Sequence, residues 1–108
     1  MKDNLLPLRH ITDAVDKIKR YVAEKSIDDL RENDQLRDSV LMNLVVIGEE
    51  ASRISNNFKA QHPDIPWHEM TGMRNVISHD YFSIKPEIVW QTVQQNLPRL
   101  REQIERLL

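Results

Sequence analysis

Leu8, Ile11, Val15, Ile18 and Val22 follow one another at spacings of three and four, the interval that lines side chains along one face of an α-helix. The same period returns in Val40, Leu44, Ile47, Ala51, Ile54 and Phe58, and again in Val89, Val93, Leu97, Leu100, Ile104 and Leu107. A sheet protein would need alternation of period two and glycine-rich turns, and this chain has two glycines in 108 residues. The stripes therefore predict an all-α fold, an antiparallel bundle of four main helices with short helical turns between them. A chain of this length is read as one domain over residues 1–108, with room for a modest core.

Local signals divide the stripes. Pro7 suits the first turn of the first helix. In SIDDLRENDQ the apolar pattern lapses, with Ser26 and Asp34 as N-cap candidates around at most one short helical turn. Gly48 stands in mid-helix, where it costs about 1 kcal/mol relative to alanine, and such a glycine permits close approach by a neighbour. KAQHPDIP, with two prolines and no periodicity, reads as a connection across the end of the bundle. WHEM then reads as a short turn and TGMRNVISHDYF as the next helix, with Phe82 in the core. Pro86 opens the last helix, and Pro98 should bend or split it. Trp67 and Trp90 are expected to anchor the core.

Composition narrows the function classes. There is no cysteine, so disulfides and thiolate metal sites are excluded and the default compartment is the cytoplasm. No segment approaches the roughly 20 apolar residues of a membrane span, and the N-terminus lacks a run of signal-peptide length. The net charge of −2 gives no global attraction for nucleic acid, so any RNA site must be local. His62 and His68, even with His10 or His79, lack the i,i+3 or i,i+4 spacing of zinc ligands, so neither metal nor cofactor is expected.

RNVISHDYF, from Arg74 to Phe82, concentrates the chemistry. Arg74 and His79 lie five residues apart, about 140° around a helix axis, so they converge only at a helix end or between subunits. They read equally as a surface arginine and a histidine near a helix C-terminus, where a cation is favoured. Asn75 is four residues before His79 and can reach the imidazole or a ligand beside it. Tyr81 reads alone as a ring packed with its hydroxyl at the surface. Glu49 and Glu50, being adjacent, face different ways and are not a carboxylate pair. Glu49 reads either as part of a site brought close by Gly48 or as a solvated face.

The stretch resembles the HEPN superfamily, whose signature is an arginine, a polar residue, a short spacer and a histidine. R-x-x-x-x-H-x-Y, here Arg74, His79 and Tyr81, is more closely similar to the HepT-like toxins. IGEEASRIS around Gly48 and Glu49, IPWHEMTGMRN and EIVWQTVQQNLPRL resemble the same family in the same order, covering almost the whole chain. Glu50 and Ser52 depart from its pattern, which has a small and a basic residue there.

The resemblance implies a metal-independent endoribonuclease, the toxin of a type VII-like toxin–antitoxin pair acting on mRNA or tRNA. Arg74 and His79 would be catalytic, with Asn75 and Glu49 supporting the site. Its cognate antitoxin would be a minimal nucleotidyltransferase that silences the toxin by adenylylating Tyr81. The resemblance also implies a homodimer that brings two copies of the motif together, with higher assembly open. The alternative is a non-catalytic HEPN-type module that binds a nucleotidyltransferase or RNA.

Overall fold

The computed structural model describes residues 3–108 and, among them, holds helices and no strand. Helix α1, Leu5–Val22, buries the first stripe in full, with Leu8, Ile11 and Ile18 at 1% exposure or less. Pro7 lies in its first turn, where a missing N–H costs nothing. Asn4 pairs with Ser55 twice, its Nδ2 donating to Ser55 Oγ at 3.3 Å and its Oδ1 accepting from the Ser55 backbone N–H at 3.1 Å. This ties the start of α1 to the far end of α3, Asp34–Arg53.

Between them lies α2, Ile27–Glu32, opened by a reciprocal cap: Ser26 Oγ accepts from the Asp29 N–H and the Asp29 carboxylate from the Ser26 N–H. The cap of α3 is one residue earlier than expected. Asn33 accepts from the Leu36 N–H at 3.0 Å, leaving Asp34 in the first turn, where its charge favours the helix dipole. The second stripe also runs shorter than its period suggests. The backbone turns extended at Ile54 and Ser55 caps a separate short helix α4, Asn56–Gln61, so Phe58 reaches the core from a different element.

WHEM is not a separate turn. Helix α5, Trp67–His79, starts at Trp67, whose indole N–H donates to His62 O at 3.0 Å and fixes the angle of approach. Trp67 is buried and Trp90 half-buried against the core. The helix stops sooner than expected, because Asp80 leaves helical geometry and Tyr81–Ser83 forms a 3-10 turn. Phe82, expected in the core, is 96% exposed. Once the chain has left the helix, the turn carries Tyr81 toward α3 and Phe82 outward.

The last stripe is carried by α6, Pro86–Gln91, a π-helical turn over Thr92–Asn96 and α7, Leu97–Glu105. Pro98 has no N–H to close the preceding turn, so the ladder widens just before it and restarts with Pro98 in the first turn of α7. The wider turn preserves the buried face: Val89, Val93 and Leu97, four apart, all point inward.

Helix α3 sits between α1 and α5 and packs on both, while α7 packs on α1 and α2 bridges α3 and α6. Both neighbours run antiparallel to α3: Asn4 meets Ser55 and His10 meets Glu50 on one side, and Arg74 meets Glu49 and Tyr81 meets Asp38 on the other. At Gly48 the helices come so close that a Cβ would lie 2.4 Å from Arg74 Cβ and 2.7 Å from Met70 O. This close approach presses the middle of α5, with Arg74, onto α3. No described helix is long and apolar enough to cross a membrane.

Candidate functional site

Arg74 is held on three of its donors. Its Nη1 donates to Glu49 Oε1 at 3.1 Å, and its Nε and Nη2 donate to Asn75 Oδ1 at 3.1 and 2.9 Å. The side chain is 22% exposed, so the guanidinium held by these bonds is still partly open to solvent. Glu49 thus meets Arg74 across the contact that Gly48 permits. Asn75 reaches back to Arg74 and not forward to His79.

His79 is the last residue of α5 and is exposed, with no hydrogen-bond partner for its ring among the described residues. Because α5 is regular from Trp67 to His79, the offset of five residues stands: about 140° around the axis and about 7.5 Å along it. Within one chain, Arg74 and His79 therefore point apart.

Tyr81 is turned to the N-terminal half of α3, where its hydroxyl donates to Asp38 Oδ1. The Asp38 carboxylate holds the phenol above its ordinary range, since it favours the protonated form; partial desolvation acts the same way and Arg37 pulls against both. Phe82 packs edge-on against the Tyr81 ring, centroids 5.0 Å apart at 90°. Sequence reasoning did not find Asp38 or Arg37. They lie 43 and 44 residues from Tyr81 with no local spacing to mark them, and only the antiparallel pairing of α3 and α5 brings them there.

Glu50 faces the other side of α3, as adjacency to Glu49 requires. It is 8% exposed, with its Oε2 3.3 Å from His10 Nδ1 and its Oε1 accepting from Arg53 Nη1 at 3.2 Å. Ser52 turns its hydroxyl back to Glu49 O at 2.6 Å. The two departures from the family pattern are thus absorbed in the α1–α3 packing and in α3 itself. The remaining histidines are scattered: His62 packs its ring on Phe58 at 4.6 Å and His68 is exposed. Among the described residues, no three His, Cys, Asp or Glu side chains gather in a way that could hold a metal ion.

An all-α bundle that carries Arg74 in the middle of α5, His79 at its end and Tyr81 in the turn that follows is the frame that the sequence resemblance pointed to. Residues 11–107 match the family described as Ribonuclease HepT-like. The chain belongs to that family of ribonucleases. It is 34% identical over 100 residues to a protein of Thermococcus cleftensis named "Probable ribonuclease HepT", covering 93% of this chain and 91% of that one. A Methanocaldococcus jannaschii protein named as a gamma-glutamylcyclotransferase and putative RNase is 29% identical over 107 residues, which are 99% of this chain but 48% of that one. A second protein of the same organism, named as a putative RNase, is 29% identical over 98 residues, 91% of this chain and 90% of its own length. No solved structure matches the chain.

Proposed function

We propose that this protein is a ribonuclease toxin that cuts RNA without a metal ion, with Arg74 and His79 as the catalytic residues and a partner nucleotidyltransferase as its antitoxin. The observation that carries the reading is the way Arg74 is held: a partly exposed guanidinium oriented by Glu49 and Asn75, with an exposed histidine five residues further along the same helix. A planar fork of donors suits the shifting charge of a phosphodiester under attack. An imidazole, which ordinarily titrates near about 6.5, can take the proton of a ribose 2′-hydroxyl or return one to the leaving oxygen.

Since Arg74 and His79 diverge within one chain, a complete site needs a second copy. Exposed apolar area on α5 supports that arrangement: Val76, 53% exposed, lies three residues before His79 and so on its side of the helix, and Met42 on α3 is 62% exposed. A homodimer closing over this face would set one chain's His79 near the other's motif. Tyr81, 36% exposed on the same segment, is the acceptor for an AMP group from the nucleotidyltransferase. The added anion and base would sit where substrate phosphate has to go. The protein acts in the cytoplasm as one domain.

His79→Ala and Arg74→Ala should each abolish cleavage of cellular RNA while leaving the helical circular dichroism and the melting transition in place, and chelator should leave the parent's cleavage intact. Cleavage that stops with EDTA and returns with a divalent ion would overturn the metal-free mechanism. A chain that binds RNA or the nucleotidyltransferase but never cuts would point to a silent binding module. Sedimentation showing only monomer at low micromolar concentration would refute the shared site. Tyr81→Phe should stay toxic and escape silencing; if it is still silenced with no AMP adduct, the antitoxin acts by occlusion.

A further inference from the structure

Tyr81 is seated in a pocket of about 380 Å³ whose charged walls all come from α3: Asp34, Arg37 and Asp38. Leu41, Ile84 and Pro86 make much of the remainder apolar. Arg37 is engaged with Asp34 Oδ1 at 2.9 Å and Arg31 O at 3.2 Å. Asp38, by contrast, makes no side-chain hydrogen bond or ion pair among the described residues other than the one from the Tyr81 hydroxyl. The tyrosine oxygen therefore has a dedicated carboxylate, and the side chain is still 36% exposed and open to an incoming group.

A phenol that ordinarily titrates near about 10 is a weak nucleophile at neutral pH unless its proton leaves as the new bond forms. Positioned carboxylates take such protons from hydroxyl acceptors in phosphoryl transfer. We propose that Asp38 is the general base for modification of Tyr81, so that this chain brings to the reaction both the nucleophile and the group that activates it. The inference rests on the reading of Tyr81 as the adenylylation acceptor. In that transfer a lone pair of the phenolic oxygen forms the bond to the α-phosphorus of the nucleoside triphosphate. The bond from that phosphorus to its bridging oxygen breaks, and pyrophosphate leaves with the electron pair. The phenolic proton passes to Asp38 Oδ1 and from there to water. Arg37, which lines the same pocket, would meet the negative charge that builds on the attacked phosphate.

Asparagine at position 38 keeps an oxygen to accept the Tyr81 hydrogen bond but cannot take the proton, so Asp38→Asn separates a base from a mere positioning contact. With the partner nucleotidyltransferase and ATP, AMP incorporation at Tyr81 should fall by about 10²–10⁴-fold in that variant. Its rate should climb about tenfold per pH unit through the neutral range, following the phenolate, where the parent's stays flat. Asp38→Glu should restore part of the rate, and circular dichroism should match the parent for both. A fluorophosphonate, a phosphorus electrophile that needs no partner, gives a second arm: Tyr81 should be labelled faster in the parent than in Asp38→Asn, and not at all in Tyr81→Phe. An Asp38→Asn protein modified at the parental rate and pH profile in both arms overturns the proposal. If the parent takes no AMP but the fluorophosphonate difference holds, the base stands and the adenylylation reading fails. If neither reagent modifies Tyr81, both fall.

Discussion

Replacing Gly48 with alanine tests the contact on which the placement of Arg74 depends. The new Cβ would start 2.4 Å from Arg74 Cβ, 2.7 Å from Met70 O and 3.4 Å from Arg74 Cγ. Comfortable carbon contacts lie at about 3.5–4.0 Å, so α5 must withdraw from α3 by about 1 Å. Neither close obstacle can rotate away, since one is a backbone oxygen and the other the first carbon of a side chain. Removing a mid-helix glycine returns about 1 kcal/mol, while forcing extra volume into a packed contact costs about 1–3 kcal/mol and sometimes more. With the two contacts this short, the cost falls at the upper end, for a net loss of about 2 kcal/mol and a fall in Tm of roughly 10 °C. The same displacement would draw Arg74 off Glu49, and an error of about 1 Å in a catalytic group is enough for roughly a hundredfold loss of rate. Urea and thermal unfolding would measure the first effect, and RNA cleavage at a temperature where the variant is fully folded the second. A Gly48→Ala protein as stable as the parent and cutting RNA at the same rate would refute both the close approach and its role in aiming Arg74.

Phe82→Ala should change stability by no more than about 0.5 kcal/mol, because the ring is almost wholly in solvent, whereas Leu30→Ala, at 0% exposure, should cost about 2–5 kcal/mol; urea midpoints of the two variants would compare them directly. Asn33→Ala removes the acceptor for the Leu36 N–H and should cost about 1 kcal/mol in the same assay. The Asp16 carboxyl is held below its ordinary value chiefly by the hydrogen bond from Arg101, with burial opposing. A carboxyl lowered in the folded state adds stability that is fully present above the unfolded value near 3.8 and is lost as the pH falls through the folded one. Asp16→Asn should therefore be less stable than the parent at pH 6, by at most about 1 kcal/mol because the pair is more than a third exposed, and the gap should narrow progressively as the pH falls below 3.8; a gap that does not narrow on acidification, or none at pH 6, would contradict the assignment.

Local period and local chemistry were legible in the chain before any packing was known. The stripe from Leu8 to Val22 needs only the 3.6-residue repeat to declare a buried helix face, and Ser26 was legible as an N-cap from its residue type alone, although its reciprocal bond with Asp29 came from the structure. Pro98 announced a break in the last helix because a missing N–H is a property of one residue, although the answering π turn depended on keeping Val93 and Leu97 inside. Gly48 signalled a close neighbour without saying which one. The segment from Arg74 to Tyr81 was visible as a concentration of polar chemistry and, through its family resemblance, as a candidate site.

How those residues are partnered came from the packing of the helices. The period cannot see that Ile54 turns extended or that Asp80 leaves the helix, since both are backbone choices set by what the chain must next pack against. Phe82, expected inside, therefore stands in solvent, and Tyr81 is carried across to Asp38. Arg74 pairs with Glu49, and Tyr81 with Asp38, because α3 and α5 run antiparallel with Gly48 as their point of closest approach. Contacts over 25 and 43 residues leave no spacing in a single chain to read. The residue types were legible because each carries its own chemistry, and their company was not, because it comes from the meeting of helices far apart in the chain.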